Sequence, residues 1–343
     1  ATNLEENPSS KRPDYLASIL REGDCAAIAY LDLATGSFYA REIASDKLIH
    51  EIFLLSPKEM VLPVSLTQDE TLMEHFKEGL SLVLTPYEDW VFEFEEAKEL
   101  LAANFQRAAE RTLAENRLAL RTCGAILYYL RDHYHTTLDH LQFPEILKSS
   151  DFMTLDRQTQ RSLELFTDVS GGKDACTLLH TVDQTVTAMG SRRMYHWVSH
   201  PLISLTKIRE RQASVSELSS KAQTMNEVRN LMKGVKDVER TLSRLNCGVA
   251  NGRDLVNLKL FLVKTPLWIE LLKNFETPLI AQLRERIHSF PDLDSLIQRG
   301  LVDEPPLSVK DGGLVRDGYS KDLDEWREIS RNGKNWLLDF ERR

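Results

Sequence analysis

From residue 25 the chain alternates short apolar runs with polar turns. "CAAIAYLDL" and "SFYAREI" are dense in Ile, Tyr and Phe, the residues that suit a pleated, half-buried surface. Thr35-Gly36 between them predicts a hairpin. The next stretch, "SDKLIHEIFLL", switches to helical period, with Ser45 as N-cap and Leu48, Ile49, Ile52 and Leu55 on one face. "EMVLPV" and "SLVLTPY" predict two short buried strands bounded by proline, and "FEFEEAKELLAANFQ" a closing helix. Hairpin, helix, strand, strand, helix is the pattern of an α/β domain of roughly a hundred residues.

Past residue 107 the strand signals almost vanish. "ENRLALRTCGAILYYLRDHY" places apolar residues at 118, 120, 123, 126, 127 and 130, close to helical period. "DFMTLDRQTQRSLELF" predicts a short extended piece and then a helix capped by Asp156. Helical patterns follow over 176–182, 187–199, 205–220, 224–245 and 252–275. The last begins at Ser320, with Leu323, Trp326, Leu337 and Phe340 at near-heptad spacing, Tyr319 just ahead of it, and Ser330 and Gly333 interrupting the seam. The opening "ATNLEENPSSKRPD" reads as a linker. The expected organisation is a linker over 1–14, an α/β domain over 15–106 and a helical domain over 107–343.

Charge sharpens this division. Residues 1–106 carry 8 Lys and Arg against 20 Asp and Glu, whereas residues 107–343 carry 35 against 32. The acidic first part is a poor surface for nucleic acid, because phosphate contacts need Lys and Arg. With 42% apolar and 28% charged residues the composition is globular rather than disordered. The longest apolar run, "CAAIAYL", is far short of a membrane span, and the cytoplasm is the expected location. Cys25, Cys123, Cys176 and Cys247 are widely spaced and are expected as buried free thiols. The chain opens without Met and stops inside a helical pattern, so a segment of something longer is expected.

Candidate chemistry is sparse. His196 and His200 stack one turn apart on a helix, as in zinc peptidases, but Trp197 stands where the catalytic Glu would follow. A third ligand is missing, and Pro201 ends the helix at His200. Two histidines beside a helix C-terminus, complementing its dipole, is the simpler account. "SGGKDA" (170–175) lacks the first Gly and the Ser or Thr of a phosphate loop. Asp32, ending the first strand-like run before a Thr-Gly turn, could ligate a metal in a nuclease. Two-metal chemistry needs three or four converging acids, and opening a tight turn is the commoner role of such an Asp. "SRR" (191–193) and "KIRERQ" (207–212) could meet phosphates but read as solvated helix faces.

The stretch "TVTAMGSRRMYHWVSHPLISLTKIRERQASVSEL" resembles the MutS family of DNA mismatch-repair proteins through Thr187, Met189, Gly190, Arg192, Trp197, Val198, Pro201, Leu202, Ile208, Arg211, Val215 and Leu218. "KDVERTLSRLNCGVANGRDL" is similar to the family's next block through Asp237, Glu239, Arg240, Arg244, Arg253 and Asp254, with Gly252 in place of a usual Pro. "DEPPLSVKDGGLVRDGYSKDLDEWREI" matches through Asp303, Pro305, Pro306, Gly312, Gly313, Gly318, Tyr319, Leu323 and Asp324. "FMTLDRQTQRSLELF" resembles the entry to the core domain, with Ser162 for a usual Asn, and "AIAYLDLATGSFYA" with "PKEMVLP" the connector domain.

The resemblance implies a ribonuclease-H-like α/β connector domain followed by an all-α core running into a lever helix, mostly α overall. It implies no catalytic, cofactor or metal residue in this segment. The whole protein would bind mispaired duplex DNA as a homodimer, use ATP and Mg, and recruit a downstream repair partner through the connector. Gly190 would permit close helix packing, and Gly312-Gly313 a tight turn before the lever. The segment itself would be a non-catalytic scaffold; the alternative is a metal-dependent, ribonuclease-H-like nuclease using Asp32.

Overall fold

Two facing tyrosines set the register of the first domain. Strand β2 (Cys25–Asp32) pairs antiparallel with β3 (Ser37–Ala44), so that Tyr30 lies opposite Tyr39 and Asp32 opposite Ser37. The turn between them is the expected one, with Gly36 at a left-handed φ of 71° and its N–H donating to the Asp32 carbonyl at 2.8 Å. A computed structural model describes residues 14–79, 82–105, 116–133, 141–147, 152–153, 155–167, 177–306 and 308–341.

β1 (Tyr15–Glu22) pairs antiparallel with the other edge of β2. Strand β4 (Glu59–Pro63) runs parallel to β1, and β5 (Val83–Tyr87) parallel to β4. A two-residue β6 (Glu145–Ile146) joins β3, giving the order β5-β4-β1-β2-β3-β6. The 3-2-1-4-5 core of this mixed sheet is the ribonuclease-H-like arrangement. Pro86 removes a donor from β5, which the fold tolerates because β5 is an edge strand.

Both faces of the sheet are covered. Helices α1 (Leu48–Leu55) and α2 (Glu70–Gly79) pack Leu48, Ile52, Leu72 and Phe76 against Ala17, Ile19, Ile28 and Tyr30. Helices α3 (Phe94–Phe105) and α4 (Arg117–His133) pack Leu100, Leu101, Ile126 and Leu127 against Leu16, Leu20, Ala29 and Leu31. Gly124 on α4 sits where a Cβ would collide with Ala97 on α3, so the two helices pack at backbone distance.

Several expectations need correction. β1 lies ahead of the first strand that the pattern predicts, and α2 is an added helix between the two predicted strands. The boundary at 106 falls inside the first domain, because α4 is the most buried helix of its core. The side chain of Glu42 on β3 caps α4, accepting from the Leu118 and Ala119 N–H groups at 2.8 and 3.1 Å. Ser45 is not an N-cap: it lies in a 3-10 turn whose N-cap residue is Ala44, and its hydroxyl donates to the Gly23 carbonyl. Cys123 is buried, but Cys25, beside the β1–β2 turn, is exposed and Cys247 half-buried; Cys176 lies outside the described residues.

The remainder is helical. α5 (Arg157–Ser162), capped by Asp156 as expected, is followed by α6 (Leu178–Val182), α7 (Ala188–Ser199) and α8 (Leu205–Ser220). The predicted helix over 224–245 is two, α9 (Ala222–Met232) and α10 (Val238–Asn246), separated where Gly234 adopts a φ of 75°. The one over 252–275 is also two, α11 (Gly252–Leu262) and α12 (Thr265–Leu272). Two further helices, α13 (Pro278–Glu285) and α14 (Pro291–Gly300), each begin with a proline, which already lacks the N–H that a first helical residue cannot use. α15 (Lys321–Glu341) runs through Gly333 without a break.

This body has a slender apolar core of Val238, Leu258, Leu262 and Ile297, with Met189 against it. Polar ties supplement it. The Glu217 carboxylate on α8 accepts the N–H groups of Glu276 and Thr277 ahead of α13, at 2.8 and 2.9 Å.

Candidate functional site

The β2–β3 turn of the first domain docks between α7 and α10 of the helical body. Local sequence fixes each side. The Thr187 hydroxyl caps α7 by accepting the Gly190 N–H at 3.1 Å. A Cβ at Gly190 would come within 3.2 Å of the Thr185 Cβ, so Gly190 admits the cap loop over its own first turn. That is its role, rather than the helix-on-helix packing expected for it. Asp237 caps α10, accepting the Arg240 N–H at 3.3 Å.

Arg192 joins these two helix ends. Its guanidinium donates to both Asp237 oxygens, at 2.6 and 2.8 Å, and to a Glu239 oxygen at 2.6 Å. The side chain of Arg192 is only 7% exposed. Burial works against its charge, but the hydrogen bonds to Asp237 and Glu239 more than offset that, and its pKa rises. Burial likewise opposes ionisation of Asp237, and Arg192 overrides it, holding that carboxyl below its usual range. The side chain of Arg240 is packed alongside, 3.7 Å from Asp237.

Across the junction, Asp32 is 2% exposed. Its Oδ1 accepts the Ala34 N–H at 3.0 Å, the turn-opening role of an Asp. Burial pushes its pKa up, while the Ala34 N–H, Thr35 and the guanidiniums of Arg192 and Arg240 draw it back. The Ser243 hydroxyl on α10 donates across the junction to the Leu33 carbonyl at 3.2 Å. Between the turn and α7 lies a notch of about 90 Å³ lined by Asp32, Tyr39, Arg192, Arg193, His196 and Glu239.

The histidine pair has an answer here. A column of rings runs out of the sheet: Tyr15 edge-on to Tyr30 at 5.0 Å, Tyr30 stacked on Tyr39 at 5.3 Å, and Tyr39 stacked on His196 at 5.7 Å. His196 stacks on His200 at 4.6 Å, and Phe152 meets His200 edge-on at 5.8 Å. Phe152 is held by a bridge to Leu202, and the Met153 N–H donates to the Pro201 carbonyl at 2.8 Å. Such ring pairs contribute about 0.5–1.5 kcal/mol each beyond burial. Burial, then Arg193 and Arg211, push the His196 pKa down to about 4; burial, His196 and Arg41 push that of His200 to about 3. Both rings are therefore neutral near pH 7, which removes the helix-dipole account offered for them. His200 ends α7 as Pro201 requires.

The other signature residues fall into two places. Trp197 carries the Arg211 guanidinium 3.9 Å above its ring, tying α7 to α8. Far from the notch, Asp254 completes a capping box with Asn251 on α11 and takes the Arg244 guanidinium. Arg253 donates to the Pro305 carbonyl at 3.4 Å, and Pro305 would meet a Cβ on Gly252 at 2.7 Å. Pro306 is half-buried beside it, and Gly312 and Gly313 both take φ of 71° in the turn before α15. Tyr319 lies along Gly300. "SGGKDA" lies outside the described residues, as do the side chains of Leu337 and Phe340.

A metal pair does not fit this site. Among the described residues no group of three or more His, Cys, Asp or Glu is placed to hold an ion, and the charged neighbours pulling on Asp32 are guanidiniums. The nuclease alternative lacks the converging acids it needs. Among the same residues no helix is long and apolar enough to cross a membrane. Reading the residues alone missed Tyr15, Tyr30, Tyr39, Phe152 and Ser243. The Tyr30–Tyr39 pair was within reach, since the Thr35-Gly36 turn dictates that register.

A ribonuclease-H-like domain keyed by its β2–β3 hairpin into a helical body, which then extends as one long helix, defines a two-part segment. Family models described as MutS domain II and MutS domain III match residues 14–142 and 158–339. The DNA mismatch repair protein MutS of Halothermothrix orenii is 32% identical over 343 residues, covering 97% of this chain and 37% of that protein. That of Methanothrix thermoacetophila is 34% identical over 333 residues, covering 96% and 37%, and that of Listeria monocytogenes 32% over 342 residues, covering 99% and 38%. The chain belongs to the MutS family, as its connector domain and the first part of its core. It spans less than two-fifths of the length of these relatives.

Two expected outcomes follow from the geometry. Arg192→Met strands Asp237 in a buried setting and lowers unfolding free energy by about 3–5 kcal/mol, whereas Glu239→Gln, at an exposed partner, costs under about 1 kcal/mol. Equal losses in urea titrations of the two variants would contradict the ranking. The histidines, neutral when folded and titrating near 6.5 when unfolded, make stability fall as pH drops from about 6.5 toward 4. The slope is at most about 1.4 kcal/mol per pH unit for each ring. A pH series of thermal unfolding on the double variant His196→Gln, His200→Gln should lose this slope.

Proposed function

We propose that this chain is the transmission segment of a DNA mismatch-recognition ATPase, and that it makes and breaks no bonds itself. The observation that carries this reading is the Arg192 bridge between two helix ends, with the connector turn seated on it. Such a joint has two discrete states, engaged or released, and coupling between distant sites needs an element of that kind. Asp32, Met189, Arg192, Asp237, Glu239 and Arg240 are then positioning residues of the joint. Gly190, Trp197, Pro201 and Arg211 hold α7 in place. Arg253, Asp254, Pro305, Pro306, Gly313 and Tyr319 set the root of the lever, α15.

The whole protein would bind mispaired duplex DNA as a homodimer and hold ATP with Mg in a domain outside this segment. It would recruit a downstream repair partner through the connector, in the cytoplasm. The relatives' designation as DNA mismatch repair proteins supports the repair role. The exposed Trp326 and Ile329 on α15, at 69% and 60%, suit a lever face that meets further parts of the whole protein.

The experiment is a coupling measurement in the full-length protein. Arg192→Met, and the milder Tyr39→Leu, should leave mismatch affinity within about threefold while slowing ATP-triggered release from a mispaired duplex by about tenfold or more, the usual size of a coupling free energy. Release that stays at the wild-type rate in both variants would overturn the reading.

A further inference from the structure

The hydrogen bonds of the histidine pair fix where a proton can go. The Ser199 hydroxyl directs its one hydrogen at the carbonyls of Tyr195 and His196, at 2.9 and 3.2 Å. Toward the His200 Nδ1, 2.9 Å away, it therefore accepts. His200 carries its hydrogen on Nδ1, which leaves a bare lone pair on Nε2. That Nε2 is closed off from solvent and has no hydrogen-bond partner among the described residues, and the same holds for the Nε2 of His196. A proton added to His200 makes a buried N–H with no acceptor, on a ring stacked 4.6 Å from its neighbour.

The charges around the rings also oppose protonation. Arg193 on α7 and Arg211 on α8 act on His196, and Arg41 on β3 acts on His200. Lys47 and Glu51 of α1 share a cavity of about 100 Å³ with His200 and Arg41, and Glu51 is already paired with Arg41. In the notch, His196 meets Arg192, Asp32 and Glu239; Glu239 is paired with Arg192, and Asp32 holds its own turn. Tyr15 and Tyr39, the tyrosines there, stay neutral at any acid pH. His50 on α1 also has a covered Nε2, but the charge of Asp156 reaches it and balances a proton.

We propose that the His196–His200 stack is a proton-operated latch: protonation of either ring releases the β2–β3 turn from its seat between α7 and α10, while both domains stay folded. The stack is covered from both sides of the junction, by Tyr39 and Phe152, so opening the junction is what lets a ring reach water. The connector keeps its apolar core on both faces of the sheet and the helical body keeps its own, so release does not require either to unfold. The rings titrate near 6.5 in water and well below that when covered. The closed form is therefore favoured above pH 6.5 and loses ground as pH falls. Each ring raises the open-to-closed ratio by about thirtyfold between pH 7.5 and pH 5, and the two together by several hundredfold. The latch does not depend on what the joint transmits.

Spin-label distances in the 343-residue chain test this. Cys25 is exposed at the end of β2 remote from the joint, and Cys247 follows α10. With Cys176→Ser in place and Cys123 buried, labels on those two report how the connector sits on the core. One distance is expected at pH 7.5, and a second population that has grown several hundredfold relative to it by pH 5, with helical circular dichroism unchanged. His196→Phe combined with His200→Phe keeps stacked rings that take no proton, and should hold the single distance throughout. His200→Phe alone should retain about a thirtyfold change. A distance distribution that stays the same down to pH 5, an equal change in the double variant, or helix loss at the same pH as the change overturns the proposal.

Discussion

A guanidinium removed from water costs several kcal/mol unless carboxylates answer its charge at hydrogen-bond distance. Arg192 meets this condition through Asp237 and Glu239, and it does so in a place that joins the ends of α7 and α10. Asp237 is already the cap of α10, so the same carboxylate satisfies a backbone donor and the buried cation. The turn of the first domain then has a defined seat. Its Leu33 carbonyl takes the Ser243 hydroxyl, and its Asp32 lies within reach of the charge of Arg192 and Arg240. Take the arginine away and two helix ends and a domain contact lose their common point.

The two halves of the chain keep their shape by different means. The sheet is buried on both faces beneath four helices, and its stability is that of an ordinary apolar core. The helical body has few buried apolar residues and relies on caps, guanidinium bridges and a cation over an indole. Directional contacts of this sort hold a fold in one arrangement but yield together when a partner is lost. This construction suits the transmission role proposed for the segment. The aromatic column from Tyr30 through His200 adds apolar contact at the joint where the core supplies little.

How much of this was legible depended on the range of the interactions. The β2–β3 hairpin was readable because Thr35-Gly36 and its flanking runs lie within twenty residues. β1 escaped because "YLASILRE" lies at the centre of the sheet, buried on both faces, and so lacks the period-two alternation of a half-buried strand. α2 escaped because its sequence is mostly polar, yet parallel pairing of β4 with β5 obliges some crossover. The charge break at 106 marks a change of surface, and surfaces do not define domains; α4, buried along most of its length from Leu118 to Leu130, had to go into a core, and the nearest was the sheet. Sequence similarity found Arg192, Asp237 and Glu239 without saying what they do. Their meaning lies in contacts between helices some 45 residues apart, beyond any local pattern. The histidines were misread for the same reason: their partners, Tyr39 and Phe152, belong to the other side of the junction.

The central claim is that the connector turn and the helix ends bridged by Arg192 form one cooperative unit. Native-state hydrogen exchange measures this most directly, by comparing the Gly36 amide, which is bonded to Asp32, with the amides of α7. The account predicts one opening free energy for both, lowered by the same amount in Arg192→Met. A Gly36 amide that exchanges freely while α7 stays protected, or that ignores the substitution, would contradict it.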